Sequence, residues 1–122
     1  MRSSVNTEKA FLAESLSSVF ELAGAEVSLS GGYDGWNPNM DSAILKTMKE
    51  SYKALYGKTP EVIAVHAGLE CGIIGGVYPE MDMISFGPTI KYPHSPDEKV
   101  NIESVAKLWD FLVYSLANAP KK

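Results

Sequence analysis

Three stretches of the chain repeat apolar residues at the three- and four-residue spacing of an amphipathic helix. This spacing predicts helices over about residues 8–22, 42–56 and 102–116. Residues suited to helix ends flank them: Asn6 or Thr7, Asp41 and Asn101 at the starts, and Gly24 and Gly57 at the first two ends. We expect the last helix to bury Ile102, Val105, Trp109, Leu112, Val113 and Leu116.

Shorter stretches between the helices have the patterns of strands. Residues 25–30 alternate apolar and polar side chains, which is the two-residue period of a half-buried strand. Residues 62–65 (VIAV) form a continuous apolar run, typical of a strand covered on both faces, and residues 83–86 (MISF) are its predicted neighbour. Residues 1–5 also resemble a strand, one already under way, as expected of a piece of a longer chain. These patterns predict an α/β fold with helices packed on a mixed sheet.

The stretch 31–39 (GGYDGWNPN) is dense in residues that favour turns. It separates two halves of different pattern. We therefore predict a hinge or domain boundary there.

Composition narrows the class of protein. With a formal net charge of −4 and scattered basic residues, the 122-residue chain does not fit a nucleic-acid partner, which clustered Lys and Arg would bind. No apolar run approaches the roughly 18 residues of a membrane span, so no membrane partner is expected. Cys71 is the only cysteine, which rules out an intrachain disulfide. A reducing cytoplasm, the location we expect, would permit this, although it excludes no other compartment.

The stretch 92–101 (YPHSPDEKVN) holds a histidine, two carboxylates, a serine and two prolines directly before the last predicted helix. A histidine on such a stiff loop suits a metal ligand, since neutral imidazole is a common zinc donor. The alternative is that Asp97 and Glu98 favour the start of the helix and that His94 is an ordinary surface residue. Spacing alone leaves both open.

The stretch 66–72 (HAGLECG) follows a predicted buried strand, at the end where ligand sites of α/β sheets lie. Gly68 and Gly72 would let the backbone approach a ligand closely. Glu70 is a candidate to hold a cation or an amine.

Two further candidates have competing interpretations. Cys71 beside His66 suggests a thiol hydrolase, against the commoner case of an inert buried thiol. Arg2 is either a fork for a carboxylate or a surface charge.

HAGLECG, MDM (81–83) and PHSPDE (93–98) occur together in this order. The combination resembles the end of the aminoacyl-histidine dipeptidases, in the metallopeptidase family that includes the carnosinases. The resemblance extends back through SGGYDGWNPN and RSSVN, and so covers essentially the whole chain. It predicts a proline after Tyr33, where this chain has Asp34.

The resemblance implies a two-domain, zinc-dependent exopeptidase with two zinc ions in a catalytic domain and an inserted lid domain. Residues 1–37 would be the end of the lid, and residues 38–122 the C-terminal part of the catalytic domain. His94 would be a metal ligand.

The resemblance also implies substrate-binding residues, namely Arg2 for the substrate carboxylate and Glu70, Gly68 and Gly72 in the wall facing the substrate. The other metal ligands and the general base belong to a preceding part of such enzymes. No catalytic residue is therefore expected in this chain, which alone should be inactive and bind zinc weakly. The complete enzyme would hydrolyse Xaa-His dipeptides such as β-alanyl-histidine.

The competing hypothesis is a stand-alone, non-enzymatic binding or assembly domain that keeps the fold. It predicts a stable monomer or dimer. For a truncated piece of the enzyme we expect association, including a homo-oligomer, through exposed apolar edges.

Overall fold

The computed structural model of the chain describes residues 1–65 and 70–119. The helices are α1 (Asn6–Leu22), α2 (Ala43–Tyr56), α3 (Glu70–Val77) and α4 (Ile102–Ala117). The strands are β1 (Ile90–Lys91) and β2 (Lys99–Val100). The three predicted helices are thus confirmed within two residues at each end, whereas α3 was not predicted.

Two compact units make up the chain. One contains Met1–Asn39 and Ile63–Met81, and the other contains Met40–Val62 and Asp82–Lys122. The assignment of residues 1–37 to a lid and 38–122 to a catalytic domain stays a prediction.

The mixed sheet that the sequence predicted is not formed by the described residues. Among the described residues the only sheet is the antiparallel pair β1–β2, with Ile90 opposite Val100 and Lys91 opposite Lys99. The segments predicted as strands, 1–5, 25–30, 62–65 and 83–86, have no ladder in the part of the chain that is described. A strand needs a neighbour for its backbone hydrogen bonds, and an alternating or apolar pattern does not supply one.

Helix ends follow local chemistry in two cases. At the start of α4, Asn101 Oδ1 accepts a hydrogen bond from the Ser104 N–H at 3.0 Å, which confirms the predicted cap. Gly57 ends α2 in the left-handed conformation, with φ of 67°, and its N–H donates to the Lys53 carbonyl oxygen.

The predicted caps of α1 and α2 were wrong at the starts. α1 begins at Asn6 itself after Val5, which provides no side-chain cap. At α2 the cap is Ser42 rather than Asp41, because the Ser42 hydroxyl accepts from the Leu45 N–H at 3.0 Å. The predicted Gly24 does close α1, with φ of 83° and its N–H bonded to the Glu21 carbonyl.

The start of α2 is also held by a residue distant in sequence. Asp82 Oδ2 accepts a hydrogen bond from the Ile44 N–H at 3.0 Å. This bond is the largest cause of a lowered pKa for the Asp82 carboxyl, and the Ser42 side chain adds to it. The carboxylate thereby ties the segment at residue 82 to the positive end of the helix.

An aromatic cluster joins α2 to α4. Phe111 is buried and contacts Tyr52 and Phe86 edge-to-face, with ring centroids 5.3 and 5.2 Å apart. Leu45 and Met48 of α2 are the other buried hydrophobic residues among those described. The core of this unit is therefore small and centred on one phenylalanine.

Lys107 of α4 also contacts α2, on the solvent-exposed side of this pair of helices. Its Nζ donates to the Tyr52 hydroxyl at 2.8 Å and lies 4.3 Å from the centroid of the Tyr56 ring. The Tyr56 hydroxyl in turn donates to the Lys107 carbonyl oxygen at 2.7 Å. Desolvation, followed by the charge of Asp110, raises the pKa of Tyr56. The hydroxyl thus stays a donor over the ordinary pH range.

Large apolar side chains remain exposed on α1 and α4. On the face of α4 predicted to be buried, Leu112 is half-buried and the other five residues are exposed, with Trp109 64% exposed and Leu116 67%. Phe111, on another face of α4, is buried instead. The helix α4 therefore carries more apolar side chains than the described residues bury. None of the helices in the described ranges is long and apolar enough to cross a membrane.

We predict that Phe111→Leu lowers the free energy of unfolding by about 1–2 kcal/mol, because two edge-to-face contacts are lost. Urea unfolding followed by circular dichroism measures the change. The control Phe11→Leu alters a side chain that is 69% exposed and should change stability by less than about 0.5 kcal/mol. Equal effects of the two substitutions would show that Phe111 is not the centre of the core.

We predict that Asp82→Asn lowers stability at pH 6 by about 0.3–1 kcal/mol and has no effect at low pH. The folded-state pKa of Asp82 is lowered, so its stabilisation is complete above the unfolded-state pKa of about 3.9 and disappears as the pH falls through the folded value. The measurement is the pH dependence of urea unfolding for the two proteins. Glu50→Gln, on an exposed position of the same helix, is the charge-matched control. A difference that persists unchanged at a pH where Asp82 is protonated in the folded protein would contradict the carboxylate's role.

Candidate functional site

His94 lies in the loop that joins β1 to β2. Its backbone has φ of 64°, and Tyr92 has φ of 56°, both in the left-handed region that non-glycine residues rarely adopt. His94 is exposed. The histidine therefore sits on a tight, strained turn rather than on a free surface segment.

Glu98 closes this loop. Its Oε2 accepts a hydrogen bond from the His94 N–H at 2.6 Å. Two turn hydrogen bonds also fix the loop, from the Ser95 N–H to the Tyr92 carbonyl at 3.2 Å and from the Glu98 N–H to the Ser95 carbonyl at 3.0 Å. The Glu98 carboxylate thus turns back into the loop. The alternative, that Asp97 and Glu98 favour the start of the helix and that His94 is a surface residue, stays a hypothesis.

The hairpin is attached to the first turn of α4. The Thr89 N–H donates to Ser104 Oγ, and the Asn101 N–H donates to the Thr89 carbonyl, both at 2.9 Å. Because Asn101 and Ser104 also form the helix cap, one set of polar groups serves both elements. The position of His94 therefore follows from the position of α4.

A metal site is not complete within the described residues. No three His, Cys, Asp or Glu side chains in ranges 1–65 and 70–119 come together in a group that would hold a metal ion. A catalytic zinc usually takes three protein ligands. The described residues do not by themselves form such a site, although His94 could supply one nitrogen donor.

Gly72, a predicted substrate-wall residue, is buried in α3. A Cβ atom at Gly72 would lie 2.5 Å from the backbone carbonyl oxygen of Asp34. At Gly76, one turn later, a Cβ would meet the Asp34 carboxylate. The two glycines thus allow the 31–39 loop to lie directly against the helix.

Asn6 holds that loop from the other side. Its side-chain amide donates to Asp34 Oδ1 at 2.9 Å, and its Oδ1 accepts from the Gly35 N–H at 2.8 Å. The carboxylate of Asp34 gives Asn6 an acceptor that the proline predicted at this position lacks.

The remaining predicted residues lie as follows. Glu70 is the exposed first residue of α3, and Cys71, next to it, is a half-buried free thiol. Gly68 and His66 lie outside the described residues, so the thiol–histidine pairing stays a hypothesis.

Arg2 lies at an open hollow that includes Lys9, Gly32 and Tyr33. The Lys9 ammonium donates to the Tyr33 carbonyl oxygen and lies 5.6 Å from the centroid of the Tyr33 ring. Two cationic side chains therefore border one hollow, which suits an anionic group.

The sequence patterns did not predict α3 or the hydrogen bonds that Asn6, Asp82 and Glu98 make through their side chains. The glycines of α3 gave no helix signal, because glycine disfavours helix. Their spacing of four residues places Gly72 and Gly76 on one side of the helix only once that helix is known. Local sequence offered no signal for Asn6 or Asp82 either, because each bonds a residue at least 28 positions away.

Comparison with known proteins defines the class. Residues 6–118 match the family described as Peptidase family M20/M25/M40. The chain belongs to this peptidase family, as its sequence motifs predicted.

Two relatives are similar along almost the whole chain. The "Cytosol non-specific dipeptidase" of Escherichia coli (strain K12) is 45% identical over 122 residues, which are 100% of this chain and 25% of that protein. The crystal structure of aminoacylhistidine dipeptidase from Vibrio alginolyticus matches with a TM-score of 0.82 and 48% identity, over 98% of this chain and 24% of that one. The chain thus spans about a quarter of the length of these relatives, and its fold is that of the corresponding part of such a dipeptidase.

We predict that Gly72→Ala lowers the free energy of unfolding by about 1–3 kcal/mol, because the new methyl group would overlap the Asp34 backbone. Helix propensity alone predicts the opposite sign, a gain of up to about 1 kcal/mol. Urea unfolding decides between them. Gly32→Ala, where no atom lies within 4 Å of the added Cβ, is the control. A stabilising Gly72→Ala would disprove the close approach of the loop.

Proposed function

We propose that this chain is part of a zinc-dependent dipeptidase that hydrolyses Xaa-His dipeptides such as β-alanyl-histidine, and that His94 is one of the metal ligands. The observation that carries the proposal is the loop at residues 92–98, where a histidine is held on a strained turn closed by a carboxylate. The name of the Vibrio alginolyticus relative, aminoacylhistidine dipeptidase, supports the substrate class. The name of the E. coli relative, a non-specific dipeptidase, supports dipeptide hydrolysis in the broader sense.

His94 would donate a ring nitrogen to the metal in its neutral form. Zinc, when bound, lowers the pKa of a water molecule and polarises the peptide carbonyl. The other ligands and the general base would belong to the three quarters of the relatives that this chain does not span. The chain on its own is then inactive.

Arg2 would bind the carboxylate of the dipeptide. Its guanidinium matches a carboxylate with two parallel hydrogen bonds, and Lys9 brings a second positive charge to the same hollow. At the exposed start of α3, Glu70 would pair with the substrate amine, beside Gly68 and Gly72 in the substrate wall. These roles are assigned from the family resemblance together with the chemistry of the side chains.

We place the enzyme in the cytoplasm, the compartment in the name of the E. coli relative. A single cysteine with a free thiol is compatible with that reducing compartment. Its partner would be a small dipeptide, without nucleic acid or membrane.

The test uses a chimera in which this chain replaces the matching quarter of the E. coli relative, alongside the 122-residue chain alone. We predict zinc-dependent hydrolysis of β-alanyl-histidine by the chimera and none by the chain alone. His94→Ala should lower kcat/KM of the chimera more than about 100-fold, since losing a ligand costs more than the roughly 10- to 100-fold typical of residues that only orient ligands.

Lys91→Ala is the matched control, an exposed residue of the same hairpin. Full activity of the His94→Ala chimera would refute the ligand role. A chimera that folds and binds zinc but hydrolyses no dipeptide would favour the stand-alone binding or assembly domain instead, for which the exposed apolar faces of α1 and α4 provide a surface.

A further inference from the structure

His94 and Tyr92 are the only non-glycine residues with positive φ in the described part of the chain, and they lie two positions apart. Such a backbone conformation persists only where surrounding contacts fix it. The question is which contact of the hairpin loop fixes His94.

The Glu98 carboxylate makes the shortest of the hydrogen bonds described in this loop. It accepts from the His94 N–H at 2.6 Å, whereas the turn hydrogen bonds measure 3.0 to 3.2 Å. A bond to an ionised acceptor is also stronger than a neutral one. Neighbouring Asp97 takes part differently, through its backbone N–H, which donates to Ser95 Oγ at 3.2 Å.

Tyr92 is restrained independently of Glu98. The Lys99 ammonium lies 5.3 Å from the centroid of the Tyr92 ring, and the Tyr92 carbonyl oxygen accepts a hydrogen bond from the Ser95 N–H. Loss of Glu98 should therefore leave the base of the hairpin in place and release the backbone of His94.

We propose that Glu98 is a positioning residue for the metal site: its carboxylate fixes the strained backbone at His94 and so holds the imidazole ready for the metal. This inference rests on the proposed function, since it assigns His94 to a metal. Glu98 acts through His94 and is not assigned as a ligand.

The first measurement is made on the 122-residue chain itself. Amide hydrogen exchange by NMR should show protection at His94 that falls at least about tenfold in Glu98→Ala, because the N–H loses its acceptor. Glu98→Gln keeps a carbonyl acceptor and should keep most of the protection. Equal protection in Glu98→Ala would overturn the proposed contact.

The second measurement is cobalt binding to the chimera, followed by the visible absorption of the bound ion, which reports ligand geometry as well as affinity. Glu98→Ala should weaken binding roughly 10- to 100-fold, and Glu98→Gln should restore most of that loss. Asp97→Asn, which removes the same charge one position away, should leave the affinity and the spectrum unchanged. Circular dichroism of each variant establishes that it is folded.

The outcomes separate the two proposals. If His94→Ala leaves cobalt binding unchanged, the proposed function fails. If His94→Ala weakens binding but Glu98→Ala does not, the ligand assignment stands and the positioning role of Glu98 is refuted. If Asp97→Asn weakens binding as much as Glu98→Ala, the effect is one of general charge and the positioning role is likewise refuted.

Discussion

The contact of Phe111 with Tyr52 and Phe86 is the interaction on which the candidate site depends most. It fixes α4 against α2, and the first turn of α4 in turn carries the hairpin through Thr89, Asn101 and Ser104. The hairpin loop then holds His94. A series of packing contacts and hydrogen bonds therefore links a small aromatic core to one exposed histidine.

Large apolar side chains of α1 and α4 are exposed within the described part of the chain. A conformation closely similar to this one occurs in a dipeptidase about four times as long, where this chain corresponds to 24% of the polypeptide. In that longer relative, further polypeptide is available to cover apolar positions like those of α4 and to pair with segments like the strand-like ones that lack ladders here. Trp109, for example, is 64% exposed, so the described part of this chain does not bury it.

Several features determined by neighbouring residues could be predicted from the sequence, although the caps at the starts of α1 and α2 were not, and contacts between distant residues could not be predicted. Asn101 and Gly57 were found because helix caps depend on a few adjacent residues. Asp82 at the start of α2 lies 38 positions from its partner, and no local pattern identifies such a bond. Glu98 was missed for another reason: an acidic residue shortly before a helix has an ordinary interpretation as a favourable charge, and only its hydrogen bond to His94 gives it a different one.

The most direct test of the account is a crystal structure of the zinc-loaded chimera, with the metal located by its anomalous scattering. We predict a zinc ion about 2.0–2.1 Å from a ring nitrogen of His94, with a carboxylate oxygen of Glu98 still accepting from the His94 N–H. A fully ligated pair of zinc ions with His94 outside their coordination would contradict it.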